Sequence, residues 1–333
     1  MRALLPNGSD ASTSQAGAAD GVGVGAGAAT AGDAVVLGSA AEPEPAADEA
    51  LVAVEAFSVN RGETFQLDGS LTRTWPGWRP GKDVAGRVLR AAADGSGPAV
   101  GARVVGHPPA YGWAERVAVR TDALAELPDG VDAVTAAALP LAGITALRLL
   151  RAAGPVAGRR LLLTGASGGV GHYVTELASA SGAGVTAVSA SAERGARLLE
   201  LGAAELVTEV EKASGIFDVV FESVGGASLP SALARLAPGG LLVWFGQASR
   251  QPVTLDFFSF FKGPTEARIR HFDYTRSELS YGRDLATLVR LVADGRLHPE
   301  IDEVRDWSRA GEAIADLRGR RIRGNAVLTV GAA

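Results

Sequence analysis

Three glycines spaced Gly165-x-x-Gly168-x-x-Gly171, directly behind the apolar run Leu161-Leu162-Leu163, are the residues of this 333-residue chain best placed for chemistry. Small residues at that spacing let a backbone turn approach a pyrophosphate and let the next helix pack closely on the preceding strand. A helix starting near Val170 would point its unpaired N–H groups and positive dipole end at the same phosphates. Because the chain holds 43 glycines, the string also fits an ordinary strand–helix turn. The neighbouring elements decide between the two.

After the expected helix over residues 170–179, residues 184–189 read as a second strand and 192–201 as a second helix stopped by Gly202. Residues 205–208 form a short third strand and 217–222 a fourth. A helix over 229–236 ends at Pro238-Gly239-Gly240, and a fifth strand over 241–245 ends at Gly246. Strand and helix alternate for almost ninety residues, as a parallel doubly wound sheet requires. The sequence therefore predicts an α/β Rossmann domain around the glycine loop.

The chain exceeds the usual size of one hydrophobic core, so two domains are expected. A net charge of −5 argues against nucleic acid or an anionic membrane as the main partner. No run is apolar and long enough to span a bilayer, the N-terminus lacks a signal-peptide pattern, and a cytoplasmic protein is expected. Cysteine is absent, which excludes disulfides, thiolate metal ligands and a cysteine nucleophile.

Residues 7–32 are a Gly/Ala/Ser/Asp stretch with almost no large apolar side chain, expected to be a disordered insertion. Strands are expected over 1–5, 34–37, 50–59, 84–89, 103–106 and 115–119, giving an all-β N-terminal part. Residues 60–80 read as a loop bordering a site, and 139–150 as a helical connector. Phe257, Phe258, Phe260 and Phe261 suggest core or a subunit contact. Helices are expected over 283–292 and 307–317, and a last strand over 326–330.

The chain resembles the zinc-independent quinone oxidoreductase and enoyl reductase branch of the medium-chain dehydrogenases/reductases. The resemblance is carried by Ser58-Val59-Asn60, Pro80-Gly81-Lys82-Asp83-Val84-Ala85-Gly86, Gly101-Ala102-Arg103-Val104, Gly112-Trp113-Ala114-Glu115, Leu139-Pro140-Leu141-Ala142-Gly143-Ile144-Thr145, the glycine loop and Gly324-Asn325-Ala326. It implies a GroES-like β-barrel domain from residues 1–124 and 267–333, with a Rossmann domain from 125–266 inserted. Asn60 and Lys82 stand about where zinc-dependent relatives carry metal ligands, so no catalytic metal is expected.

The resemblance further places Ser189, Ser191 and Arg194 near the adenosine 2′-phosphate of NADPH, with Arg320, Arg321 or Arg323 reaching it from the C-terminal segment. Hydroxyls with guanidinium suit such a dianion. Gly165, Ser167, Gly168, Gly169 and Val170 would line the pyrophosphate, and Thr145 and Gly246 would flank the nicotinamide, with Asn325 close by. Asn60 is expected to bond the nicotinamide ribose or the substrate oxygen. The implied activity is hydride delivery from NADPH to a small-molecule quinone or α,β-unsaturated carbonyl, in a homodimer. A tailoring reductase acting on a polyketide-like enone and a non-catalytic NADPH-binding protein are the alternatives. Phe65 stands where many relatives have tyrosine, so the proton donor is open among Lys82, Asp83, Tyr111, His271 and Tyr274.

Overall fold

The structure is a computed structural model that describes residues 1–7, 34–71 and 75–331. Apart from Asn7, the expected insertion over residues 7–32 lies outside the described residues. The N-terminal part contains β1 (Arg2–Pro6), β2 (Val35–Ser39), β3 (Glu49–Val59), α1 (Arg61–Leu67), β4 (Val84–Arg90), β5 (Arg103–Gly106), β6 (Arg116–Arg120) and β7 (Leu124–Glu126). Then come α2 (Ala133–Ala137), α3 (Pro140–Ala153), β8 (Arg160–Thr164), α4 (Gly169–Ala180), β9 (Gly184–Val188), α5 (Ala192–Glu200) and β10 (Glu205–Val207). The chain continues through β11 (Phe217–Glu222), α6 (Ser228–Leu233), β12 (Leu236–Trp244), β13 (Arg268–His271), α7 (Tyr281–Ala293), β14 (Ile301–Asp306), α8 (Ala310–Arg318) and β15 (Asn325–Thr329).

Strands β10-β9-β8-β11-β12-β13 form one sheet, and every pairing in it is parallel. The order reverses between β8 and β11, which opens a crevice at the carboxyl ends of these strands, where ligands of doubly wound folds bind. Leu161, Leu162 and Leu163 of β8 are fully buried, as a strand covered on both faces must be. The second sheet runs β14-β15-β3-β4-β5-β7, with β6 also paired to β3, and so joins both ends of the chain. The apolar core beneath α3 is continuous with that of this sheet: Ala56, Ala85 and Val105 pack in one cluster with Leu139, Ile144 and Leu163.

The structure departs from the expected elements, or adds to them, at four places. Residues 60–80 are not all loop, because Arg61–Leu67 is a helix, capped where Glu63 Oε2 accepts the Asn60 N–H at 3.0 Å. Just past the expected boundary at 267, β13 pairs with β12 and extends the dinucleotide-type sheet. The phenylalanine cluster is not core: Phe257, Phe258 and Phe261 are 67–69% exposed. Residues 301–306 add a strand, β14, that pairs in parallel with β15.

Candidate active site

The glycine loop is built by two different constraints. A Cβ on Gly171 would meet the Ala166 carbonyl oxygen at 2.2 Å, so this glycine is required by helix–strand contact alone. Gly168, the N-cap of α4, has an ordinary φ of −86°, and a Cβ there would meet nothing nearer than the Gly165 oxygen at 3.4 Å. The space beside Gly168 is therefore open on the crevice side, as a pyrophosphate needs. Gly165 turns the chain at φ +64°, where glycine is favoured. The loop is held against the C-terminal segment, because the Gly324 N–H donates to the Ser167 oxygen at 3.1 Å. Asn325 donates to the Glu300 oxygen at 3.0 Å, and its Oδ1 lies so near Gly169 that a Cβ there would sit 2.6 Å from it. Val170, in the first turn of α4, is half-buried.

Two hydroxyls in this region are buried and unpartnered. Ser189, just past β9 and 2% exposed, has an Oγ with no hydrogen bond among the described residues, and so has Thr145 Oγ1 on α3. Buried polar atoms are nearly always paired, so two orphans at the expected ends of one ligand fit a dinucleotide that would supply their partners. Ser191 caps α5, its Oγ accepting the Arg194 N–H at 3.2 Å, which leaves its own proton to donate. Gly246 closes the crevice behind β12, its oxygen accepting from Trp244 Nε1 at 2.7 Å.

The arginines separate into two sets. Arg194 donates to the Arg321 and Ile322 oxygens at 3.3 and 2.6 Å, and Arg320, at φ +56°, donates to the Ala248 oxygen at 3.1 Å. Among the described residues neither has a carboxylate partner, and neither does half-buried Arg61, which reaches only the Leu317 oxygen. Burial, and then the fields of Arg320, Arg250 and Arg194, push the Arg61 guanidinium down from its usual range. These four cations thus converge with one acid, Asp68, which pairs with Arg250. An anion is the natural complement. Arg323 and Arg321 do not join this set, for Arg323 pairs with Glu300 at 3.0 Å and Arg321 with Asp316 at 2.6 Å.

On the other lip, sheet register assembles a polar cluster that the sequence did not show. Phe57, Val84 and Gly106 form one row across β3, β4 and β5. Ser58, Asp83 and His107 each lie one residue beyond it, so they meet at one sheet end. Asp83 is fully buried and accepts four hydrogen bonds: Ser58 Oγ at 2.6 Å, Asn60 Nδ2 at 2.8 Å, the Leu141 N–H at 3.0 Å and His107 Nδ1 at 3.1 Å. Asn60 Nδ2 also donates to Ser58 Oγ at 3.2 Å. Both amide protons are therefore spent inward. The other polar group of Asn60 is its carbonyl oxygen, which can accept from a hydroxyl but cannot polarise a substrate carbonyl.

Below this cluster, Glu63 accepts the N–H groups of Gly81 and Lys82 at 3.0 and 2.9 Å, fixing the loop that carries Lys82. Burial, and then the Asp83 charge, push its carboxyl up to about 7. The half-buried Lys82 ammonium has no ion-pair partner among the described residues. The other donor candidates are dispersed. Tyr111 is engaged by Trp75 Nε1 at 2.6 Å, and His271 lies on the exposed edge strand β13. Tyr274 remains, with its hydroxyl 3.4 Å from His107 Nε2. His107 was the residue sequence reasoning missed; only the strand register, not its spacing, brings it to Asp83.

Comparison with known proteins accords with this geometry. Residues 46–129 match the alcohol dehydrogenase GroES-like domain, and residues 169–293 match the zinc-binding dehydrogenase family. The chain is 31% identical over 231 residues to a quinone oxidoreductase of Mus musculus, covering 64% of this chain and 69% of that one. It is 32% identical over 225 residues to an acrylyl-CoA reductase of Ruegeria pomeroyi, covering 60% and 66% of the two chains. A mycobacterial protein solved in complex with NADPH superposes with a TM-score of 0.81 at 25% identity, covering 90% of this chain and 97% of that one. The glycine loop at the switch point, the two-sheet architecture and these likenesses lead to one conclusion: the chain belongs to the medium-chain dehydrogenase/reductase family, in its quinone oxidoreductase branch.

Proposed function

We propose that the protein is an NADPH-dependent oxidoreductase that reduces the electron-poor carbon–carbon bond of an α,β-unsaturated carbonyl, or a quinone. The observation that carries the cofactor reading is the buried, unpartnered Ser189 hydroxyl, with Arg194 and Arg320 nearby lacking carboxylates. An NAD-type site would place an acid at this strand end to bind two ribose hydroxyls. The NADPH-bound mycobacterial neighbour and the quinone and acrylyl-CoA reductase relatives support the same assignment.

In this reading the N–H groups opening α4 and the bare face of Gly168 take the pyrophosphate. Ser189, Ser191, Arg194 and Arg320 take the 2′-phosphate. Asn60 Oδ1 accepts a hydroxyl of the nicotinamide ribose, and Thr145 bonds the nicotinamide carboxamide. The bound dinucleotide supplies a hydride. The residues Asn60 and Lys82, where the family's metal-dependent members hold zinc, make a poor tetrahedral donor set, so activation of the acceptor falls to its own conjugation and to proton delivery. Lys82, unpaired on this lip, contributes positive charge toward a developing enolate. Optical assay of NADPH oxidation against a panel of enones and quinones tests the proposal. Turnover with NADPH well above NADH is expected; NADPH binding without turnover on any acceptor would mark a binding protein instead.

A further inference from the structure

The reaction proposed above needs a proton as well as a hydride, and Phe65 occupies the position where the family resemblance puts a tyrosine donor. Resting on that reading, we infer that Tyr274 is the catalytic proton donor and that His107 and Asp83 form the relay that recharges it.

The geometry is continuous. Asp83 faces His107 Nδ1 at 3.1 Å, and His107 Nε2 faces the Tyr274 hydroxyl at 3.4 Å. The other three acceptor contacts of Asp83 are filled by Ser58, Asn60 and the Leu141 N–H, so the carboxylate is fixed and keeps the imidazole proton on Nδ1. The ring of His107 is clamped edge-on by Tyr274 and by Tyr281, at centroid distances of 5.8 and 4.7 Å. The charged group behind Tyr281 is Arg148, 4.7 Å from that ring and itself paired with Asp284. Glu63, a further acid near Asp83, accepts from backbone N–H groups, and Asp273 adds a negative charge near Tyr274 and Tyr281.

The backbone of Tyr274 is tied to α3. Arg148 Nη1 donates to the Tyr274 backbone carbonyl oxygen at 2.6 Å, and the Leu141 N–H donates to Asp83. Leu141, Thr145 and Arg148 are spaced by four and three residues, so they share one helix face. The unpartnered Thr145 hydroxyl belongs to that same face of α3.

Hydride from the reduced nicotinamide dinucleotide forms the new C–H bond at the β-carbon, and the former C=C electron pair passes to the carbonyl as an enolate. The enolate takes the phenol proton of Tyr274. The tyrosine oxygen takes the Nε2 proton of a His107 imidazolium, whose charge Asp83 stabilises. The neutral ring keeps its Nδ1 proton, and water restores the other. Burial pushes the Tyr274 phenol well above its usual range, so a stranded phenolate would be costly. Concerted reprotonation from His107 avoids it.

The test compares wild type with Tyr274→Phe, His107→Gln and Lys82→Met, using the enone that wild type reduces fastest. Tyr274→Phe is expected to lower kcat roughly 100-fold, the lower end for a lost general acid, with the NADPH Kd from fluorescence titration unchanged. His107→Gln is expected to lower kcat as well, by less than Tyr274→Phe, with the NADPH Kd again unchanged. Turnover by Tyr274→Phe within about threefold of wild type, or a loss confined to Lys82→Met, would overturn the relay. A readout independent of turnover uses histidine-labelled protein without ligand. Tyr274→Phe should move the ring NMR signals of His107 and of no other histidine, and unmoved His107 signals would overturn the contact. If wild type binds NADPH but turns over none of the acceptors, the reductase reading fails, and the NMR result still decides the relay.

Discussion

Cofactor choice is the feature most open to quantitative test. Arg194 already gives two N–H groups to the Arg321 and Ile322 carbonyls, which orients the guanidinium and leaves its remaining donors and its full charge for an anion. One charge-assisted hydrogen bond contributes about 1.5–3 kcal/mol, so Arg194→Ala should weaken NADPH roughly 10- to 150-fold. NADH has no 2′-phosphate and should change little, which makes it the internal control for any loosening of the 317–322 segment. Ser189→Asp should go further, because a carboxylate there repels the phosphate and accepts from the free ribose hydroxyl. Partial compensation by Arg320 can shrink the effect but not reverse it. Titration of both dinucleotides by fluorescence, with KM values alongside, reads the result. Equal losses for the two cofactors, or a wild type that prefers NADH, would refute the assignment of this strand end.

Two further outcomes follow from the catalytic lip. Glu63 has its folded pKa raised to about 7, so its contribution to stability is full below its unfolded value and is lost as pH rises through the folded one. Wild type should lose up to about 3 kcal/mol from this group between pH 4.5 and pH 8, as a shift of two to three units implies; urea melts of Glu63→Gln should lack that slope. Arg250, at φ +60° in the loop after β12, crosses to Asp68 and stacks 4.6 Å from the Phe65 ring. Removing an exposed pair and a cation–π contact worth about 1 kcal/mol together should speed dinucleotide release several-fold in Arg250→Gly. The melting temperature should hardly move, since glycine relieves the strained φ; stopped-flow dissociation checks the rate.

Much of the dinucleotide half was legible because its signals are local. β11 coincides with the expected strand over 217–222, and β8 and β9 differ by a residue at most, since a strand buried on both faces must be a continuous apolar run. β13 was missed for the opposite reason: Arg268, Ile269, Arg270 and His271 are all exposed, so nothing in their pattern demands a sheet. Helix α1 is seven residues long, too short for a period to show. The glycine loop stands out by its spacing, whereas Ser189 and Arg194 are candidates only through the resemblance. The Asp83–His107–Tyr274 chain could not, because its members are 24 and 167 residues apart and only tertiary register unites them. Arg323 shows the converse limit: type and neighbourhood suggested phosphate, and Glu300 claims it.

Gly168→Val decides whether a dinucleotide lies across the glycine loop at the switch point. Gly168 has an ordinary φ, and its Cβ position meets only one carbonyl oxygen, at 3.4 Å, so the fold has room for a side chain that the pyrophosphate does not. Calorimetric titration of NADPH, with thermal melts as the control for folding, should show one site per wild-type chain and none in a variant that melts within a few degrees of it. A folded Gly168→Val protein that binds NADPH as wild type does would contradict the account.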